Sequence, residues 1–141
     1  MANTTLQDVY DSFLSKITDY DYLKLSEEDL NEELAMKLKS AIAKFIIADD
    51  IKINEMTEQF NRELSYLEIE ILAYGMVLSW VEPLVNNVET MKQRLSSKDF
   101  SVYSQAKHLA ELNEVRIRAN REFNYWINRY SSSKALKEMM E

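Results

Sequence analysis

The sequence predicts an all-α protein, an elongated bundle of three to four main helices of which two are long, with a flexible C-terminal tail. Only one glycine and one proline occur among 141 residues, whereas average usage would make these two types roughly 12% of a chain. A β-sandwich or barrel needs frequent tight turns and cannot be built from that supply. Apolar residues instead recur at three- and four-residue spacing. Hydrophobic residues make up 46% of the chain, which is enough for one core.

Capping residues and apolar stripes mark the first two helices. Thr4 or Thr5 can cap a first helix, and its apolar face consists of Leu6, Val9, Tyr10, Phe13, Leu14 and Ile17. Ser26 precedes three acidic residues and begins a second helix that should end near Ala48. Its apolar face consists of Leu30, Leu34, Ala35, Leu38, Ala41, Ile42, Phe45 and Ile46. For residues 50–64, which mix alternating and helical spacing, we expect a loop with one or two helical turns.

Two long helices follow and should face each other. Ser65 and Glu68 form a capping box, after which the apolar repeat continues to Val88. Gly75 permits close approach of a neighbouring helix, whereas Pro83 should kink or break the helix near residues 79–82. A turn at residues 96–101 leads into a last helix of roughly 30 residues. Its apolar seam consists of Leu109, Leu112, Ala119, Phe123, Trp126 and Tyr130.

The end of the chain is predicted to differ from the rest. We expect one helical domain over residues 1–130, followed by a flexible joint at Ser131–Ser133. Residues 131–141 form a short amphipathic tail that is too small to fold alone. We interpret this tail as a segment that waits for a partner.

The charge distribution and the absence of cysteine restrict the possible partners. The formal net charge of −7 divides into −6 over residues 1–50, −3 over 51–100 and +2 over 101–141. This balance disfavours tight wrapping of nucleic acid, which requires a basic face. Without cysteine there is no disulfide framework, and a cytosolic origin fits best. The longest uncharged apolar run, Ile71–Val81, is too short to cross a bilayer, so we expect no membrane partner.

Residues that usually perform catalysis are scarce. His108 is the only histidine, and its helical neighbour Glu111 lacks the further carboxylates that a di-metal bundle needs. Ser104, His108 and Asp99 could be imagined as a triad, but no strained nucleophile turn accompanies them. A single glycine also excludes phosphate-binding loops. We therefore expect no enzyme, no catalytic residue, no metal and no cofactor.

Apolar side chains on the long helices exceed what one seam requires. We expect some of them to face another subunit, among them Trp80, Leu84, Met91, Tyr125 and Met139.

Three segments, IEILAYGM (69–76), WVEPL (80–84) and KDFSVYSQA (98–106), resemble those of a phage protein family. It is the family of small helical head-tail connector proteins, also called adaptor, neck or head-completion proteins, of long-tailed bacteriophages from Gram-positive hosts. The resemblance implies an oligomeric ring, typically twelvefold, in the virion neck, made in the host cytoplasm. It implies that the ring contacts the portal protein and a further neck or tail-completion protein, while DNA passes through without specific binding.

The resemblance also implies which residues form the contacts. A terminal segment commonly grips the portal in this family, which points to Lys134, Leu136, Lys137, Met139 and Met140. A ring needs two different patches on each subunit, and an acidic first half with a basic last segment offers them. We expect Arg116, Arg118 and Arg121 to meet acidic residues of the neighbouring subunit, namely Glu28, Glu32 or Glu33.

A second interpretation is a small helical regulatory or adaptor protein. Such a module would bind a cellular protein in an apolar groove, as a monomer or small dimer. Stoichiometry distinguishes the two, because a ring requires many copies and a groove binder requires few.

Overall fold

The computed structural model describes residues 3–17, 25–94 and 105–140, and their side chains except those of 88–94 and 105–109. In these parts of the chain, the helices are α1 (Leu6–Leu14), α2 (Glu27–Lys44), α3 (Tyr66–Arg94) and α4 (Gln105–Met140). A short hairpin of β1 (Ile53–Asn54) and β2 (Gln59–Phe60) lies between α2 and α3. The predicted all-α bundle with two long helices is confirmed.

All three predicted helix caps described by the structure are confirmed. The Thr5 hydroxyl accepts the Asp8 amide at 3.3 Å, and the Asp8 carboxylate accepts the Thr5 amide at 3.3 Å. Ser26 caps α2 through the Asp29 amide at 3.2 Å. Ser65 and Glu68 form the same reciprocal pair before α3, at 3.2 and 2.9 Å. Each cap satisfies backbone groups that a helix start leaves unpaired.

Helix α3 lies at the centre, because α1, α2 and α4 all pack against it. The two long helices face each other, as predicted. The core combines the predicted faces of α1, α2 and α4 with the first half of α3, which is buried around most of its circumference. Its fully buried large side chains are Val9, Phe13, Leu34, Leu38, Phe45, Phe60, Ile71, Leu72, Met76, Val77 and Val81.

Gly75 lies where α2 approaches α3 closely. A Cβ atom at this position would lie 2.9 Å from the Ala41 Cβ, 3.2 Å from the Ala41 Cα and 3.3 Å from a ring carbon of Phe123. Such distances are below ordinary van der Waals contact. The predicted role of this glycine is therefore confirmed.

Helices α1 and α2 end earlier than predicted. Helix α1 ends at Leu14 rather than Ile17, and α2 ends at Lys44 rather than near Ala48. Phe45 leaves helical geometry, with φ −92° and ψ 63°. The chain therefore turns before Ile46, which is 79% exposed instead of continuing the apolar stripe.

The prediction of helical turns within residues 50–64 is wrong. Ile53 pairs with Phe60 and Asn54 with Gln59 in an antiparallel hairpin. The Asn54 side chain accepts the amides of Met56 and Thr57 and so builds the turn locally. Phe60 is buried in the core, and this tertiary contact decides the conformation of the segment. The spacing of Phe60 from the apolar residues around it is one that helices also use, which is why the sequence predicted helical turns.

Of the two outcomes predicted for Pro83, a kink or a break, the break does not occur, and the predicted end of the last helix near Tyr130 is wrong. Helix α3 continues through Pro83 because buried residues on both sides, Val81 and Val85, keep it on the core while the proline itself is exposed. Helix α4 continues through Ser131–Ser133 to Met140 instead of ending near Tyr130. The predicted turn at residues 96–101 lies outside the described residues.

Thr4 joins the start of α1 to the segment before α3, and it yields the first testable prediction. It is 8% exposed, and its hydroxyl accepts the Leu64 amide at 2.7 Å. Thr4→Val keeps the shape but leaves this buried amide unpaired, so we expect a loss of about 1–3 kcal/mol in the free energy of unfolding, measured by urea denaturation. Thr4→Ser retains the acceptor and should lose less. Equal stability of the valine variant and the wild type would contradict this role.

Candidate functional site

The end of α4 is a helix without a covering partner among the described residues. Residues 132–140 are all exposed, including Leu136, Met139 and Met140 at 60%, 83% and 80%. At 1.5 Å per residue, the 36 residues of α4 extend over about 54 Å. This length exceeds what the compact core covers, and the last turns project from it.

The three exposed apolar residues of this end lie on one helix face. Leu136 and Met140 are four residues apart, and Met139 is three residues from Leu136, so the three are neighbours on the helix surface. We call this set the terminal stripe. Lys134 belongs to a different face, and its ammonium group donates to the Ile47 carbonyl at 3.1 Å. The terminal stripe therefore faces away from the side that contacts the body.

The residues predicted to bind a partner are all exposed. Of these, Lys134 is engaged with its own chain through Ile47, whereas Leu136, Lys137, Met139 and Met140 lie on the outer surface of the projecting helix. Residues 131–133, where a joint was predicted, lie within continuous helix, so the side chains that follow have helical spacing. The flexibility of this segment stays a prediction, and so does the role of these side chains in binding a portal.

The predicted subunit-interface residues lie on two separate surfaces. Glu28 and Glu32 line a groove of about 1170 Å³ between α1, α2 and the hairpin. Glu33 does not line it, and instead forms an ion pair with Lys37 at 3.2 Å. The residues lining the groove come from residues 5–58, so α3 and α4 contribute none.

The groove is lined by both acidic and apolar side chains. Five carboxylates line it, and the single lysine, Lys39, is already paired with one of them, Glu55, at 2.7 Å. Tyr10, Ala35, Met36 and Ile53 provide apolar surface within it. The carboxylates are Glu27, Glu28, Glu32, Glu55 and Glu58. The hairpin supplies two of these five, and sequence reasoning missed them because the hairpin itself was not predicted.

The basic surface lies on the outer side of α4. Arg118 and Arg121 are exposed there, as are Ile117 at 60% and Tyr125 at 54%, whereas Arg116 is exposed on a different face, about 160° around the helix from Arg118. Arg118 also lines a cavity of about 270 Å³ beside Lys16 and Tyr74. Arg116 and Arg121 are not part of that cavity lining.

The excess apolar residues have different positions in the structure. Trp80 is 8% exposed and belongs to the hydrophobic core of its own chain, so the prediction that it is surplus to the core is wrong. Tyr125 and Met139 are exposed and Leu84 is half-buried. The side chain of Met91 lies outside the described set.

A cluster of ionised groups connects the hairpin, α3 and α4. The Glu68 carboxylate is 5% exposed and accepts both terminal nitrogens of Arg62, the Ser65 amide and the Tyr130 hydroxyl. Arg62 also donates from Nε to Asp50 at 2.8 Å. Burial raises the pKa of Glu68, but these hydrogen bonds and the Arg62 charge outweigh burial and hold the pKa below its usual value. The arrangement is a structural clamp, because every polar atom in it faces a partner of its own chain.

The described side chains contain no group of three or more His, Cys, Asp and Glu residues that could hold a metal ion. The side chains of His108 and Asp99, and residue Ser104, lie outside the described set, so the dismissed triad is not placed. The absence of enzymatic activity and cofactor stays a prediction. Within the parts of the chain that the structure describes, no helix has both the length and the apolar character needed to cross a membrane.

Comparison with known proteins yields no match: no protein family, curated protein or solved structure is significantly similar to this chain.

Proposed function

We propose that this protein is a structural connector subunit of a bacteriophage virion. In this proposal, copies form a ring between the portal and the tail or neck, a further neck protein binds below, and DNA passes through the channel. The segments at 69–76, 80–84 and 98–106 that resemble the connector family support it. The first two lie on the central helix α3, and residues 105–106 of the third begin α4.

The projecting end of α4 is the observation on which the proposal mainly depends. A helix that continues for ten residues beyond Tyr130, with Leu136, Met139 and Met140 exposed on one face, is suited to insertion into an apolar groove of a larger partner. None of the described residues of the chain covers these side chains, and a partner with an apolar groove would remove them from water.

The charge of the protein is compatible with a channel that DNA traverses. A net charge of −7 on each subunit disfavours binding of phosphate groups. DNA would therefore slide past without binding.

The alternative is a small regulatory or adaptor protein that binds a cellular partner. The acidic groove favours it, because an amphipathic basic helix of another protein would fit there. This alternative needs only one or two copies for each partner, whereas a connector ring needs about a dozen for each portal.

A pair of single substitutions tests the docking of the terminal stripe. Leu136→Glu places a charge on the stripe, and we expect portal binding to weaken by about 10- to 100-fold, as for the loss of one buried leucine from an interface. Glu138→Gln also changes the net charge by one at an exposed position, but it lies about 160° around the helix from Leu136, on the face opposite the stripe, and should leave binding within about threefold. Mass photometry with the portal from the same genome measures both, and circular dichroism checks the fold.

Two results would contradict the connector function. Portal binding that Leu136→Glu leaves unchanged would remove the terminal stripe from the interface. If the protein stays monomeric or dimeric and does not bind the portal, this result would favour the regulatory alternative.

A further inference from the structure

We infer that the acidic groove receives the outer face of α4 from a second copy of this chain, with the two helices antiparallel. This inference rests on the proposed function in one respect, because a connector ring gives the reason for the chain to assemble with itself. It specifies which side chains meet. The sequence predicted Glu33 at this interface, but Glu33 does not line the groove, whereas the hairpin carboxylates Glu55 and Glu58 do.

Charge complementarity identifies the occupant of the groove. Its lining has five carboxylates against one lysine. Between residues 114 and 129, α4 has four arginines and two glutamates, and three of the arginines, Arg118, Arg121 and Arg129, lie towards the side of Ile117 and Tyr125. Like-charged surfaces repel, and opposite charges steer encounter and determine register. A second copy of this chain therefore offers the chemistry that the groove requires.

The spacing of the two helix faces agrees with an antiparallel pairing. Glu28, Glu32 and Met36 recur every four residues along the α2 wall of the groove. Ile117, Arg121 and Tyr125 recur at the same interval on exposed α4. Residues four apart share a helix face and have the same rise on both helices.

One register satisfies both the apolar and the charged positions. When Ile117 of one copy packs on Met36 of the other, Arg121 lies level with Glu32. The same alignment puts Tyr125 near Glu28 and Glu114 level with Lys39. The parallel direction that keeps Arg121 level with Glu32 would place Arg129 level with Ser40, one residue from the like-charged Lys39. It would also lose the favourable antiparallel arrangement of helix dipoles.

The geometry also explains how assembly would continue. The groove is lined by residues 5–58, and the basic face belongs to α4, so each copy has one of each and the two differ. A contact between unlike patches is heterologous and leads to a ring when the rotation closes. A two-fold dimer would have to form both groove–helix contacts reciprocally between the same two copies, whereas in a ring each copy uses its two surfaces on two different neighbours.

Disulfide trapping tests the pairing, and the absence of native cysteine makes the background clean. Chains with Met36→Cys and chains with Ile117→Cys are mixed and oxidised, alone and with portal added. We expect the cross-linked pair to form about tenfold faster than with Met56→Cys in place of Met36→Cys, because docking raises the effective concentration of the two thiols. Met56 is the matched control, because it is 96% exposed, more than Met36 at 65%, and lies outside the groove lining.

Further variants test direction and charge. Tyr125→Cys should link to Met36→Cys more slowly than Ile117→Cys does, because the antiparallel register separates the first two. Arg121→Glu and added salt should both slow the cross-link. Equal rates for the Met36 and Met56 chains in both conditions, or faster linkage through Tyr125, would overturn the inference. The connector proposal would still stand in that case if many copies bind each portal, and both would fail if the protein neither cross-links nor binds.

Discussion

Arg62→Ala is expected to lower the free energy of unfolding by about 3 kcal/mol, the lower end of the range for breaking a buried ion pair. The substitution removes both guanidinium contacts from Glu68, whose carboxylate is 5% exposed. A third of the Arg62 side chain is exposed, so water can enter and moderate the loss. The Ser65 amide and the Tyr130 hydroxyl remain as donors to Glu68. Chemical denaturation near neutral pH measures the change.

The contribution of Glu68 to stability should change with pH in opposite directions in Arg62→Ala and in the wild type. In the wild type the pKa of Glu68 lies below 4.5, its value in the unfolded chain, so its stabilising contribution is complete above that pH and is lost as the pH falls through the folded value. Without Arg62, burial dominates and raises the pKa of Glu68, so protonation stabilises the folded variant. We therefore expect the difference in the free energy of unfolding between the wild type and Arg62→Ala to be smaller at about pH 4 than at neutral pH.

Asp50→Asn is the matched control for this prediction. It removes the other carboxylate that Arg62 contacts, but Asp50 is exposed, and exposed ion pairs contribute about 0–1 kcal/mol. Equal losses from Asp50→Asn and Arg62→Ala would contradict the role of burial. A pH-independent difference between Arg62→Ala and the wild type would contradict the assignment to Glu68.

Gly75→Val is expected to destabilise the fold by about 3 kcal/mol, because it overpacks the contact between α2 and α3. Even the Cβ atom would lie 2.9 Å from the Ala41 Cβ, and the next neighbour is a backbone atom, the Ala41 Cα at 3.2 Å. Relief therefore requires α2 to shift away from α3. This cost outweighs the gain of up to about 1 kcal/mol from replacing glycine in a helix. Urea denaturation measures the loss.

A double substitution separates the steric contact from helix propensity. Ala41→Gly removes the nearest atom, so Gly75→Ala should be better tolerated in the Ala41→Gly background than in the wild type, by about 1 kcal/mol. Ala41→Gly alone provides the reference for the added glycine. A Gly75→Ala variant that is more stable than the wild type would show that the helices are not in close contact there.

The clamp around Glu68 connects the fold to the proposed docking helix. Tyr130 donates to Glu68, and one turn later Lys134 donates to the Ile47 carbonyl, so α4 is held on the body up to the point where its exposed end begins. The orientation of the terminal stripe therefore depends on residues 47–68.

Local sequence signals determined the helices and their starts. Thr5, Ser26 and Ser65 satisfy backbone amides within three residues, so their caps depend only on neighbouring residues. The periodic stripes likewise predicted which faces of α1, α2 and α4 are buried. The acidity of Glu28 and Glu32 and the basicity of Arg116 and Arg121 were visible as composition, which is why these exposed patches could be named in advance.

Long-range contacts decided the rest. The hairpin at residues 53–60 forms because Phe60 is buried and Thr4 accepts the Leu64 amide, contacts that no local spacing reveals. Helix α3 continues through Pro83 because buried side chains on both sides hold it to the core. Helix α4 continues through Ser131–Ser133, with Tyr130 and Lys134 tying it to the body on either side of the triplet. Propensity is a preference of about 1 kcal/mol or less per residue for all but proline, and tertiary packing can exceed it wherever residues distant in sequence meet.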